Sequence, residues 1–356
     1  MSQYSTDLLV KKEIILFEVL VFGAGSIGNH LSYACRQIGW NVTVYDTDPV
    51  ALTRMQNEIY PSRYERWDSN IQLTNSLPEN RNFDLIIVGT PPDTHISIAC
   101  QAIERFNPKL ILIEKPLCPP DMNGLSELYY LLERQDVRCL VGFNHNLADS
   151  IKHLESFLVD IEPQKIQKIE INWLENWSGI FAAHPWLDGP KDSYLGFSNR
   201  GGGACHEHSH AVALAVHVSN RLGLENIELQ EADVKMCVEN SLYYDFETKM
   251  TLTNSQGVVM KVNQNVTTSP AIKELRILLT NGEILWRANV PQGGDMVSVM
   301  GDVRYFSKNR IDDFRPEIEH IDDILMGRIT SSPIDISKMR IVSELSQKAF
   351  DIGLNK

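Results

Sequence analysis

Paired cysteines, clustered basic residues and long apolar runs are all missing from this chain of 356 residues. Its six cysteines (Cys35, Cys100, Cys118, Cys139, Cys205, Cys237) are scattered without C-x-x-C spacing, which suits a reducing cytoplasm better than a disulfide framework. Lysine and arginine total 33 against 46 acidic residues, and a formal charge of −13 argues against a nucleic-acid or anionic-membrane surface. No apolar run reaches the roughly 18 residues that a membrane span needs. Residues Met1 to Asp7 lack the basic start and apolar core of a secretion signal and read as a short arm, so a cytoplasmic location is expected. Internal repeats and low-complexity segments are also lacking. What remains is 43% hydrophobic and 22% charged, the balance of a soluble globular protein long enough for two domains.

The N-terminal part alternates short apolar runs with amphipathic stretches. Ile14 to Val21 predicts a buried strand and leads directly into Gly23-Ala24-Gly25-Ser26-Ile27-Gly28. In such a turn the first glycine permits the bend, the second lets backbone approach a pyrophosphate, and the third lets the next helix pack on the strand. That helix, Ile27 to Ile38, directs its positive end at the phosphates. A second strand, Asn41 to Tyr45, ends at Asp46, which lies 18 residues beyond Gly28, near the spacing of an acidic residue that binds the adenosine ribose. With no arginine directly after Asp46, NAD is expected in preference to NADP.

Two further strands end in polar turns. Leu85 to Val88 runs into Gly89-Thr90-Pro91-Pro92-Asp93-Thr94-His95, which places Thr90, Pro91 and His95 as cofactor neighbours at a strand's carboxyl end. Leu110 to Ile113 ends in Glu114-Lys115-Pro116, where a lysine turned outward by proline can hold a substrate hydroxyl or tune its proton transfer. A helix over Met122 to Arg134 and a strand over Arg138 to Gly142 close this half.

Beyond Asn144 the pattern changes to alternating strands: Lys165 to Trp173, Asp233 to Val238, Tyr244 to Leu252, Gly257 to Val262, Leu275 to Leu279 and Gly282 to Trp286. Turns such as Thr280-Asn281-Gly282 imply a mostly antiparallel sheet. Helices are expected over Phe314 to Met326 and Ile336 to Ile352. The connection from Leu174 to Arg200 carries Glu175, Trp177, His184, Trp186, Asp188, Lys191, Asp192 and Tyr194, a mixture suited to covering a polyhydroxylated ring.

It leads to Gly201-Gly202-Gly203-Ala204-Cys205-His206-Glu207-His208-Ser209-His210. Three glycines permit close approach and feed into groups that carry protons. The residues alone leave structural and catalytic histidines both open. His206 lies four residues before His210, so the two could share a helical face.

In order and spacing, the glycine turn, Gly89 to His95, Glu114-Lys115-Pro116 and Val141-Gly142-Phe143-Asn144 resemble the Gfo/Idh/MocA oxidoreductases over nearly the whole chain. The resemblance implies an α/β chain: an N-terminal NAD-binding Rossmann domain (1–142), a substrate-binding and oligomerisation α/β domain with an open, mostly antiparallel sheet (143–334), and a C-terminal helix packing near the Rossmann domain (335–356). It implies a homodimer or homotetramer through that sheet. The triple-glycine stretch is similar to a family form G-G-G-x-x-x-D-x-S-H, which makes His210 the acid/base and Glu207, in place of Asp, its companion. Cofactor contacts are then expected from Gly23, Gly25, Ser26, Ile27, Gly28, Asp46, Thr90, Pro91, His95, Glu114 and Lys115. Substrate contacts are expected from Lys115, Asn144, Trp173, Glu175, Trp177, Tyr194, His206 and His210. Relatives often follow the Gly-Phe-Asn strand with arginine and proline; here Asn146, Ala148 and Asp149 stand there, so an anion site at that point is not expected.

The expected activity is NAD-dependent hydride transfer at a secondary alcohol or ketone of a sugar, sugar derivative or cyclitol, with no metal. Two alternatives compete. One is a non-catalytic NAD-bound sugar sensor. The other is a zinc hydrolase, because residues 206–210 also spell H-E-x-x-H, which requires one helix through both histidines.

Overall fold

Two sheets divide the chain in a computed structural model that describes residues 16–239, 241–308 and 313–354. The expected arm, Met1 to Asp7, and the start of the first expected strand, Ile14 and Ile15, lie outside the described residues.

The first sheet is built from β1 (Glu18–Phe22), β2 (Asn41–Tyr45), β3 (Gln72–Thr74), β4 (Leu85–Val88), β5 (Leu110–Glu114) and β6 (Arg138–Gly142) in the order β3-β2-β1-β4-β5-β6. Every pairing is parallel. β4 and β5 are buried along their whole length, as strands covered on both faces by crossover helices must be. The helices of this half are α1 (Ser26–Gln37), α2 (Pro49–Arg54), α3 (Tyr60–Tyr64), α4 (His95–Phe106) and α5 (Leu125–Gln135). Strand order reverses between β1 and β4, the crevice at which open α/β sheets bind ligands.

The second half contains α6 (Asp149–Leu158), β7 (Ile166–Leu174), α7 (Ser178–Ala182), α8 (Gly203–Glu207) and α9 (His210–Arg221). After them come β8 (Glu228–Glu239), β9 (Leu242–Thr253), β10 (Met260–Asn265), β11 (Ile272–Leu279), β12 (Gly282–Arg287), β13 (Asp295–Val299) and β14 (Asp302–Phe306), then α10 (Arg315–Leu325) and α11 (Ile336–Leu354). The sheet order is β14-β13-β12-β11-β7-β10-β9-β8, antiparallel apart from β7 with β10. β7 alternates buried Ile169, Ile171 and Trp173 with Glu170 and Asn172, which stand on the other face. The inner face packs on α9, whose apolar residues are buried on all sides. The open face carries ion pairs such as Lys168–Glu170 and Arg276–Glu283.

The two halves join at the edge of β6. The Val141 amide donates to the Ile334 carbonyl at 2.9 Å, and α11 lies on β8, α9 and β6. α10 packs on α1, where Phe314 stacks on His30 with ring centroids 5.2 Å apart. Among the described residues no helix is long and apolar enough to cross a membrane.

Candidate active site

The glycine turn at the end of β1 has the shape of a dinucleotide cradle. A Cβ on Gly28 would sit 1.9 Å from the Gly23 carbonyl oxygen, so that position is closed to any larger residue. A Cβ on Gly25 would meet nothing within 4 Å. The open space lies where a pyrophosphate would approach the start of α1, whose N-terminal residue Gly25 offers no side-chain cap. Ser26 and Ile27 are half-buried at the same mouth. Asp46 accepts from the Ala24 amide at 2.8 Å and from the Asp48 amide at 2.9 Å, and so braces the turn as well as standing where a ribose would lie. These residues fit a dinucleotide.

Lys115 follows β5 directly. Its Nζ donates to Glu207 Oε1 at 2.9 Å and to the Glu207 carbonyl at 3.0 Å, an ion pair between the two halves with both side chains 13% exposed. Glu207 Oε2 accepts from the Tyr194 hydroxyl at 2.8 Å. Burial and the Glu207 charge hold the Tyr194 phenol well above its usual range, so it remains a donor.

The glycine run makes this meeting possible. A Cβ on Gly201 would press 2.8 Å from Pro92 Cβ, against the first domain. Gly203, at φ +84°, would bring a Cβ within 1.9 Å of Asp245 Oδ1. Asp245 in turn accepts from the Cys205 amide at 2.7 Å and the Thr248 hydroxyl at 2.7 Å, and burial raises its carboxyl to about 6. The three glycines therefore admit protein atoms here.

α8 stops at Glu207 and α9 begins at His210, so the helix is broken across His208 and Ser209. Gln264 of β10 donates to the carbonyls of Cys205 at 3.1 Å and His208 at 2.8 Å, the latter also accepting from the Ala211 amide at 3.0 Å. The break separates the two histidines expected to work together. His206 is buried against Phe350, with both ring nitrogens lacking a partner among the described residues, and burial lowers it to about 4. It does not share a face with His210, and H-E-x-x-H lacks the continuous helix it needs. Among the described residues no group of three or more His, Cys, Asp or Glu could hold a metal ion.

His210 is half-buried and stacks on Trp173 with centroids 5.2 Å apart at 25°. The rings of His145, at 4.8 Å, and Phe143, at 5.8 Å, meet it at steep angles. Burial first, then the charges of His145, Lys115 and Lys273, push His210 well below the ordinary imidazole range. It is thereby neutral at neutral pH, with one ring nitrogen unprotonated.

Several expected contacts take other roles. Trp173 is 1% exposed and backs His210, so it does not face a substrate. Trp177 is buried with Leu195, Ala204 and Val266 and pins the connecting segment. Glu175 pairs with Lys273 at 2.7 Å, and Lys273 lies over the Trp173 ring at 5.4 Å. His95 is buried, its Nδ1 2.9 Å from the Pro116 carbonyl and its Nε2 2.7 Å from the Thr90 carbonyl, so it ties the turn after β4 to the Lys115 turn and does not face the cleft. Thr90 is half-buried and Pro91 exposed at the same turn. Glu114 is buried over Gly142, where a Cβ would stand 2.5 Å from its Oε1, and burial raises it to about 7. Asn144 is half-buried and donates to the Asp313 carbonyl at 3.4 Å.

His145, Lys273, Asp245 and Gln264 are additions that the sequence reading missed. His145 had a signal, since it directly follows the Gly142-Phe143-Asn144 stretch. Next to Asn144 and His145 opens a cavity of about 340 Å³, lined also by Ser150, Asp295, Lys308 and Arg315.

Residues 17–143 match a family named GFO_IDH_MocA and described as "Oxidoreductase family, NAD-binding Rossmann fold". Over these residues the chain matches the NAD-binding domain of the Gfo/Idh/MocA oxidoreductases. The nucleotide such a domain holds is NAD, and the glycine turn lies within the matched residues. No curated protein sequence matches the chain. Among solved structures, levoglucosan dehydrogenase, in complex with NADH and levoglucosan, aligns with a TM-score of 0.72 and 15% identity over 96% of this chain and 98% of its own. GenD2 from gentamicin A biosynthesis, in complex with NAD, aligns with a TM-score of 0.71 and 17% identity over 96% and 95%. A myo-inositol dehydrogenase from Corynebacterium glutamicum aligns with a TM-score of 0.69 and 15% identity over 96% and 97%. At such identities the likeness is one of fold, and it extends through both domains.

Proposed function

We propose that the protein is an NAD-dependent dehydrogenase or reductase acting on a secondary alcohol or ketone of a sugar, sugar derivative or cyclitol. The observation that carries this reading is the Lys115–Glu207 ion pair at 2.9 Å, which joins the cofactor domain to the glycine-rich stretch and brings the Lys115 charge within electrostatic reach of a neutral His210. The sugar and cyclitol dehydrogenases that share the fold support the substrate class.

Gly23 to Gly28 would hold the pyrophosphate and Asp46 the adenosine ribose, whose 2′-phosphate form its carboxylate would repel. Bound NAD would supply the hydride acceptor for oxidation and the donor for reduction. His210 takes the hydroxyl proton as the alcohol becomes a ketone, and returns it in the reverse direction. Two of the three Lys115 ammonium protons are given to Glu207, which leaves one for the reacting oxygen. Trp173 fixes the plane of the His210 ring, and Tyr194 fixes Glu207. A homodimer or homotetramer would form through the open face of the eight-stranded sheet.

The test is to replace His210 and Lys115 by alanine separately and to measure NADH binding and turnover on a panel of sugars and cyclitols. Retained binding with turnover reduced at least 100-fold is expected, the size of a lost acid/base group. Unchanged turnover in His210→Ala would remove that residue from the mechanism.

A further inference from the structure

The segment between β7 and α8 is tied to the first domain at two points. The guanidinium of Arg54 lies 4.9 Å from the Trp186 ring centroid, and Arg200 Nε pairs with Asp93 Oδ2 at 2.8 Å. Arg54 ends α2, in the connection that follows β2, and Asp93 lies in the turn after β4. In the sheet β1 stands between β2 and β4, so the two ties flank β1 and the glycine turn that follows it. The same segment is fastened to the second domain by buried Trp177 and by the Tyr194 bond to Glu207. Arg54 also keeps one buried donor, Nε, with no partner among the described residues.

We propose that Arg54 and Trp186 form a clasp that closes the adenosine end of the dinucleotide cleft, so that NAD exchanges only when this segment lifts. The inference rests on the NAD reading of the glycine turn. The Arg54 guanidinium lies over the indole, so the clasp is a single contact between the two domains. The Arg200–Asp93 pair is exposed and holds the far side of the same strap independently.

The experiment preloads the full-length protein with NADH, chases with excess NAD, and follows loss of bound-nicotinamide fluorescence by stopped flow. Trp186→Ala is expected to speed NADH release about two- to fivefold, the equivalent of one exposed cation–π contact. The double variant Arg54→Ala/Trp186→Ala should release NADH no faster than Arg54→Ala alone, because both residues belong to one contact. Arg200→Ala combined with Trp186→Ala should multiply the two effects. Unchanged release in Trp186→Ala, or independent multiplication for Arg54 and Trp186, overturns the clasp while leaving NAD binding intact. A wild-type protein that takes up no NADH overturns the cofactor reading and the clasp together.

Discussion

Exchanging Glu207 for glutamine removes one negative charge from a place where two groups depend on it. The carboxylate offers one oxygen to Lys115 at 2.9 Å and the other to Tyr194 at 2.8 Å, whereas the amide has a single oxygen, so one partner must face an NH₂ group. A hydrogen bond to a charged group contributes roughly 1.5–3 kcal/mol, and an ammonium left buried without its counter-ion adds to the loss. Because both side chains keep some exposure, about 2 kcal/mol is the expected destabilisation. For a protein of 356 residues that lowers Tm by about 3 °C, measured by calorimetry. Turnover should fall roughly 100-fold, since Lys115 is no longer held against the reacting oxygen. NADH affinity should be retained. Glu207→Asp restores the charge with a shorter reach and should recover most of the stability and part of the turnover. A glutamine variant with wild-type Tm and wild-type turnover would refute the place given to this ion pair.

Two glycines of the same turn should respond in opposite ways. Gly25→Ala has room in the free protein and should keep its Tm while losing NADH binding, measured by fluorescence titration, whereas Gly28→Ala collides with the Gly23 carbonyl and should lower Tm. Acid should act through His206: its imidazole titrates near 4 when folded and near 6.5 when unfolded, so below pH 6.5 the unfolded chain binds the extra proton and native stability falls as pH falls through that window. Relative to wild type, His206→Leu should therefore gain about 2 kcal/mol between pH 6.5 and 5 in urea unfolding, and a difference that stays constant with pH would contradict the buried neutral ring.

The first domain was legible because parallel strands buried on both faces must be apolar throughout, and Asn41–Tyr45, Leu85–Val88 and Arg138–Gly142 occupy the expected positions. The second sheet was readable where strands alternate, as in β7. It was not readable in β13 and β14, since β14 exposes nearly every residue and leaves no period to detect. The parallel neighbours β7 and β10 are far apart in sequence, and local pattern carries no register between them. At the site, Lys115 and Glu207 were named from motifs, and their contact follows from the fold. The pairing of His206 with His210 failed because helical spacing presumes an unbroken helix, while Gln264, some sixty residues along, stabilises the break. Trp173 and Trp177 read as stacking faces, yet only burial distinguishes a ring that meets a ligand from one that supports a wall.

Lys115 reaches a main-chain oxygen as well as a carboxylate. The Glu207 carbonyl is the last of α8, where the aligned peptides of a helix leave partial negative charge, so the ammonium closes a helix terminus from the opposite domain. Shortening this side chain would therefore loosen the turn that delivers His210 three residues after Glu207, and an activity lost on mutating Lys115 would combine missing chemistry with a displaced imidazole. A free alkylamine added to Lys115→Ala could replace the charge without rebuilding that tether, and the part of the rate it fails to restore would measure the tether.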